Sequence, residues 1–327
     1  MIDPRLKTTI ISGGAKKQKR HRSERNGKDA YSCNGEIREK NARRKKTVNS
    51  TPLYESWKRF KRNPTALMGL AVVVILVLVA ILAPLLAPYD YQVQDYMAML
   101  QKPSAKHLFG TDNFGRDIFS RCIYGARYSL LIAFFCTLAA MFSGGLLGII
   151  AGYFGGKIDT VIMRIMDIFQ SIPMIMMAMC IVAVLGNGIP QLVSAIMFAS
   201  MPTMARNNRA AILRVRGSDY IESSEAIGVG RLEMIVKHMI PNTVGIMVIY
   251  FVGFLAASIM LMSSMSYIGV GLAAPTPEWG LILNDGKAYM TTAPYMMIFP
   301  ALMIMITCFA FNLMGDGLRD AFDPKMK

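Results

Sequence analysis

Between Arg214 and Asn242 the chain spaces acidic, small and turn-forming residues so as to organise a surface, not a reaction centre. Asp219 and Glu222 stand three apart, the spacing at which a cap and a returning carboxylate close the first turn of a helix. That predicts a short helix over 220–227. Gly228 and Gly230 would end or turn it, and a second short helix over 231–238 precedes Pro241. Both pieces are too short and too charged to span a bilayer. A helix pair of this kind either docks a soluble partner, with Ile221, Ala226 and Ile227 available to insert, or is an interfacial connector that binds nobody.

A second charged group, Asp112, Arg116 and Asp117, falls within six residues. These side chains can pair to fold their own segment, or meet a partner, and the two roles can coexist. Metal chemistry has little to stand on. Cys33, Cys122, Cys136, Cys180 and Cys308 are scattered, as are His21, His107 and His238, with no ligand set of metal spacing. The dense patch Met174, Met176, Met177 and Met179 suits adaptable filling between helices, with a copper-conducting stripe as the other reading. No Gly-x-x-x-x-Gly-Lys-Ser/Thr occurs: Gly13-Gly14-Ala15-Lys16-Lys17 and Gly228-Val229-Gly230 both lack that layout. The expectation is a chain with no catalytic residues and no bound cofactor.

The elements that position these groups are apolar helices. Of the 327 residues, 53% are hydrophobic and 17% charged, and charge is absent from 63–89, 128–156, 168–205, 239–277 and 288–315. A helical crossing needs about 20 apolar residues at 1.5 Å each, and five such gaps exclude a soluble domain. Six spans are expected, at about 66–87, 128–153, 162–185, 189–205, 244–268 and 295–313. The third and fourth form a hairpin that turns at Gly186-Asn187-Gly188-Ile189-Pro190. The fold class is an all-α polytopic membrane protein embedded in the lipid bilayer. Pro173, Pro190, Pro202 and Pro241 are candidate bends.

Orientation follows from basic residues. Residues 1–62 carry 19 Lys/Arg against 6 Asp/Glu within a net charge of +15, and Lys58, Arg59, Lys61 and Arg62 abut the first span. Basic residues near a span stay cytoplasmic, so an even number of spans puts both termini inside. The loop at 206–240 is then cytoplasmic and the 90–121 segment outside. Residues 1–50 are expected to be a disordered basic tail, a topology signal that hovers over anionic lipid, with nucleic acid as the lesser alternative. Gly144, Gly148, Gly152 and Gly156 recur every fourth residue, which puts four small residues on one helix face for close packing.

The 214–242 loop resembles the signature of importer-type ABC transporter permeases: Glu-Ala-Ala, Gly three residues on, then a hydrophobic-x-Pro element. The match runs through Glu222, Ser223, Ser224, Gly228, Ile240 and Pro241, with serines in place of the alanine pair. Residues 107–130 resemble the stretch before the second span of dipeptide and oligopeptide permeases. The run 275–280, which contains Trp279, resembles their last outer loop, and 310–324 their C-terminal end. The resemblance covers residues 51–327 and is closest to the C-type subunit.

That resemblance implies the type I ABC importer permease fold in a bacterial or archaeal cell membrane. It implies pairing with a sister permease, two ABC ATPase subunits that hold ATP and Mg, and an extracytoplasmic solute-binding protein that delivers peptide. On this reading Asp219, Glu222, Ser223, Ser224, Gly228, Ile240 and Pro241 couple to the ATPases, while Asp112, Arg116, Asp117 and Trp279 lie on the outer face as binding-protein contacts. A nickel-complex or other small-solute importer remains open as cargo. An ion-coupled carrier is disfavoured because the five gaps hold no ionisable group near a midplane.

Overall fold

The computed structural model describes residues 57–322. The basic stretch 1–50, with His21 and Cys33, lies outside them. Eleven α-helices follow in order: α1 (Pro64–Ile81), α2 (Ala83–Leu86), α3 (Ile118–Phe154), α4 (Gly156–Gln170), α5 (Met174–Leu185), α6 (Ile189–Arg216), α7 (Asp219–Ala226), α8 (Arg231–Glu233), α9 (Ile240–Ile268), α10 (Trp279–Gly286) and α11 (Tyr295–Phe322). The described residues contain no strand, only an isolated bridge between Thr111 and Asp117.

α1 starts where the sequence provides a cap. Asn63 Oδ1 accepts the amides of Thr65 and Ala66, and Pro64, which has no amide to leave unpaired, takes the first helical position. The helix lies antiparallel to α11 at very short range. A Cβ at Gly69 would sit 2.8 Å from Ala310 O and Met314 N, while Ala66 meets Gly317.

Four helical runs are long and apolar enough to cross a membrane: α1, α3, the continuous Arg231–Ile268 and α11. The bent pair α4 and α5 would make a fifth. This departs from the expected six, and the reasons are local. The stretch expected as one span over 162–185 breaks at Pro173, with an 84° bend between α4 and α5, because proline has no amide and its ring clashes with the preceding turn. The span expected to stop at residue 205 runs on to Arg216. Charge marks a membrane boundary, but it does not end a helix: Arg206 reaches Asp167 at 2.6 Å and Arg209 grips Asp159 with two nitrogens at 2.5 Å, both acids lying on α4.

For the same reason α3 begins ten residues before the expected Tyr128, and α11 continues past residue 313. Of the four proline bends, only Pro173 makes a break. Pro190 and Pro241 occupy first turns, and α6 stays helical through Pro202.

The glycine stripe packs α3 on α6. A Cβ at Gly144 would lie 2.5 Å from Met201 O, one at Gly148 2.2 Å from Ala205 O, and one at Gly152 2.9 Å from Ile212 Cγ2. Contacts rise in step along both helices, so α3 and α6 run parallel. Gly156 does not join them: it starts α4 at φ +54° with open space around it. The main core lies between α3, α5, α6 and α9, where Ile132, Val182, Leu192, Ile196 and Met262 are buried together.

Candidate functional site

Two assemblies of polar residues stand out, one at each end of the helices. The first is the connection from α6 to α9. Ser218 is the residue before α7, and its hydroxyl donates back to Val215 O at 2.7 Å instead of capping forward. The expected capping box is therefore not formed: Asp219 is already inside the helix, and it and Glu222 are its exposed first-turn acids. There they favour the positive end of the helix dipole. The two serines of the resemblance fit without loss. Ser223 Oγ donates to Asp219 O at 2.7 Å and Ser224 Oγ to Tyr220 O at 2.9 Å, so each hydroxyl is satisfied one turn back.

The helix closes in a Schellman turn. Gly228 takes φ +82°, its amide donates to Glu225 O at 3.0 Å, and the Val229 amide reaches Ser224 O at 3.3 Å. Only glycine enters that left-handed conformation cheaply. The expected second helix over 231–238 is instead α8 followed by a wider π turn over Met234–Met239, which leads into α9 without a break. Pro241 explains the widening, since a proline early in a helix cannot supply its amide to the turn before. Ile240 and Pro241 thus anchor the return of the chain to α9.

The loop's interior and exterior are sharply divided. Ile221, Ile212, Met234 and Met239 form one buried cluster, with Val229 and Tyr153 against it. Ile221, expected to insert elsewhere, is occupied inside its own chain. Tyr220 hydrogen-bonds His238 Nδ1, which ties α7 to the π turn. Outside stand Ile227 at 82% exposure, Leu232 at 76%, Tyr220 and Val236, flanked by Glu222 and Glu225. Large apolar side chains are thus held out in solvent on an acid-edged turn, with their backbone fixed by the Gly228 turn.

The second assembly ties the 89–117 segment to α3 and α10. Asp112 accepts Arg116 Nε at 2.6 Å and Arg121 NH1 at 2.7 Å, and Asp285 of α10 accepts Arg116 NH2 at 3.0 Å and Arg121 NH1 at 2.9 Å. Two carboxylates and two guanidiniums balance in charge. Asp117 caps α3 by accepting Ser120 N and Oγ, both at 2.8 Å, and its other oxygen accepts His107 Nδ1–H at 2.9 Å. Trp279 Nε1 donates to Cys122 O at 3.0 Å, and its ring lies where a Cβ on Gly125 would be. Glu278 is fully buried and caps α10 by accepting the amides of Gly280 and Leu281 at 2.8 and 2.9 Å. Burial pushes its carboxyl above the usual carboxylate range, and the Gly280 amide partly offsets this.

The four residues expected on the outer face are therefore not available there. Asp112, Arg116 and Asp117 are at most 3% exposed and Trp279 is fully buried, so they build the segment and offer no contact surface of their own. Sequence reasoning passed over Arg121, Asp285, His107 and Glu278. Glu278, Asp285 and Lys287 are the three charges between two long uncharged stretches, and the two acids were a readable signal, since a charge carried toward the helices needs a partner. Among the described residues no group of three His, Cys, Asp or Glu is placed to hold a metal.

The chain belongs to the family of binding-protein-dependent transport system inner membrane components, whose pattern matches residues 144–327. It is thus a multi-pass inner-membrane permease, a transport subunit whose system hydrolyses ATP on separate chains. Residues 51–103 match the N-terminal TM domain of oligopeptide transport permease C. The dipeptide transport system permease protein DppC of Alkalihalophilus pseudofirmus is 39% identical over 277 residues, covering 85% of this chain and 91% of its own. The glutathione transport system permease protein GsiD of Escherichia coli O6:K15:H31 is 41% identical over 278 residues, covering 85% and 92%. Among solved structures, the inward-facing MetNI methionine ABC transporter aligns with a TM-score of 0.52 over 62% of this chain and 96% of its own, at 19% identity. That likeness establishes the type I importer fold.

Proposed function

We propose that this permease forms half of the translocation pathway of an ATP-driven importer of short peptides. A sister permease supplies the other half, two ATPase subunits dock on the 214–242 loop, and an extracytoplasmic binding protein delivers the cargo. Dipeptide and glutathione, the cargoes in the relatives' names, support the substrate class.

The observation that carries the coupling role is the division of the loop: a packed inner face at Ile221 and Met234, and Ile227 and Leu232 held out on the Gly228 turn. Asp219, Glu222, Ser223, Ser224 and Gly228 shape the docking face, and Ile240 and Pro241 join it stiffly to α9. A push on α7 then moves a continuous helix, as a two-state transporter requires.

Six crossings fit this arrangement, with both termini cytoplasmic. α3 and α6 run parallel, so the bent α4 and α5 must return across the bilayer between them, and α6 counts as a crossing despite its arginines. Residues 1–50 are a basic topology signal on the cytoplasmic side. Gly144, Gly148 and Gly152 hold α3 against α6 through the transport cycle.

Purification in mild detergent followed by mass spectrometry tests the assembly: a sister permease and ATPases are expected with the chain. Glu222→Lys reverses a charge at the start of α7 and should reduce ATPase recovery. Recovery of the folded chain alone, or unchanged recovery with the variant, counts against this reading.

A further inference from the structure

α6, α9 and α11 border a cavity of about 200 Å³ that opens to the surface, where Asn312, Asp316 and Arg319 are exposed. Five polar side chains line it: Asn207 of α6, Tyr250 of α9, and Asn312, Asp316 and Arg319 of α11. None of the five has a hydrogen-bond or ion-pair partner among the described residues. Nearby polar groups are otherwise committed. Arg206 and Arg209 are held by Asp167 and Asp159, and Asn208 donates to Met204 O at 2.9 Å.

Asp316 and Arg319 are three apart on one helix face, where side chains meet readily, yet they do not pair with each other. An acid and a base three residues apart at the mouth of one cavity, with two carboxamides and a phenol around them, match a small zwitterion. Asp316 suits its ammonium, Arg319 its carboxylate through the planar guanidinium, and the asparagines an amide between the two. Asn312 also borders a larger cavity of about 630 Å³ between α9 and α11, lined by Ser263, Ser264 and Met260. The two cavities therefore lie end to end along one helix seam.

We infer that the smaller cavity binds the charged ends of a peptide zwitterion as it leaves the pathway. This rests on the peptide-importer reading above. A phosphatidylethanolamine head group offers the same pairing of ammonium and anion, and the test separates the two sources.

The complex of this chain with its sister permease, ATPases and binding protein is reconstituted in vesicles, and ATP-driven uptake of trialanine is measured. Asp316→Asn and Arg319→Gln should each lower uptake at least tenfold, with subunit composition, basal ATP hydrolysis and the binding protein's affinity for trialanine unchanged. A tripeptide with a photoreactive diazirine side chain should label the cavity wall near Asn207 and Tyr250, and trialanine, but not glycerophosphoethanolamine, should block it. Where a variant fails to assemble, labelling of the unaltered complex decides. Uptake within twofold of the unaltered complex in both variants overturns the site, as does labelling blocked only by glycerophosphoethanolamine. Absence of trialanine uptake by the unaltered complex overturns the peptide reading, and the site with it.

Discussion

Arg121 NH1 lies 2.9 Å from Asp285, across 164 residues of sequence, and the same nitrogen holds Asp112 at 2.7 Å. One fully buried guanidinium thus joins α3, the 89–117 segment and α10. Two charges taken out of water are rarely worth more than an apolar pair, but removing one strands its partner at about 3–5 kcal/mol. Arg121→Met should therefore destabilise the complex by an amount of that order, read as a lowered thermal midpoint in detergent. Arg121→Met combined with Asp285→Leu, which leaves Arg116 and Asp112 as a neutral pair, should recover part of the loss. A single substitution as stable as the parent would show that the cluster does not hold these elements together.

Gly148 and Gly145 make a sharper comparison on a single helix. A Cβ at Gly148 would lie 2.2 Å from the Ala205 carbonyl oxygen, whereas one at Gly145 would meet Asn208 at an ordinary 3.5 Å. Overpacking costs about 1–3 kcal/mol, and here the obstacle is backbone, which cannot rotate away. Gly148→Ala should lower folded yield and thermal stability, while Gly145→Ala should equal the parent or exceed it, alanine being the better helix former. Equal tolerance at both positions would mean that α3 and α6 can separate freely.

The sequence revealed the apolar helices through uncharged gaps and the loop through its glycines, because both signals are local. Gly144, Gly148 and Gly152 lie against α6, whereas Gly156, the fourth of the expected stripe, starts α4 in open space. The helix ends were not legible in the same way. Arg206 and Arg209 look like a membrane boundary, yet their partners Asp167 and Asp159 lie 39 and 50 residues away, so nothing nearby shows that α6 continues. The four-charge cluster was half visible: Asp112 and Arg116 are neighbours in sequence, but Asp285 enters only through the tertiary fold. Trp279 read as a loop residue because its family context is a loop, while its burial depends on the Gly125 notch one helix away.

Glu278 gives a pH dependence whose sign is fixed by burial. Its carboxyl is held above the usual carboxylate range in the fold, so the folded state keeps this proton to higher pH than the unfolded chain, where a glutamate titrates near about 4.3. This contribution to stability is complete below the unfolded value and is lost as pH rises through the folded one. Glu278→Gln keeps one oxygen to accept the Gly280 or the Leu281 amide, which the glutamate holds on Oε1 and Oε2 respectively, and it cannot ionise, so its contribution to stability is lower overall but flat with pH. The variant should therefore lose less stability than the parent between pH 4 and neutrality, as read from thermal midpoints of the two across that range. Parallel curves would remove Glu278 as the titrating group.

Gly228 and Gly230 separate conformation from mere flexibility in the 214–242 loop, and so test its proposed docking role. Neither has an atom within 4 Å of where a Cβ would stand, so space does not distinguish them. Backbone does: Gly228 sits at φ +82° in the turn that ends α7, while Gly230 has φ −63°, open to any residue. A left-handed residue with a side chain costs about 1–2 kcal/mol. In Gly228→Val the branched side chain adds to that, and the amides reaching Glu225 O and Ser224 O would be pulled out of line, letting Ile227 and Leu232 drift from their places. Gly228→Val should therefore reduce ATPase recovery and peptide uptake while the helices stay inserted, and Gly230→Ala should leave both at the parental level. If the two variants behave alike, the loop works as a flexible tether, and the rigid turn has no part in docking.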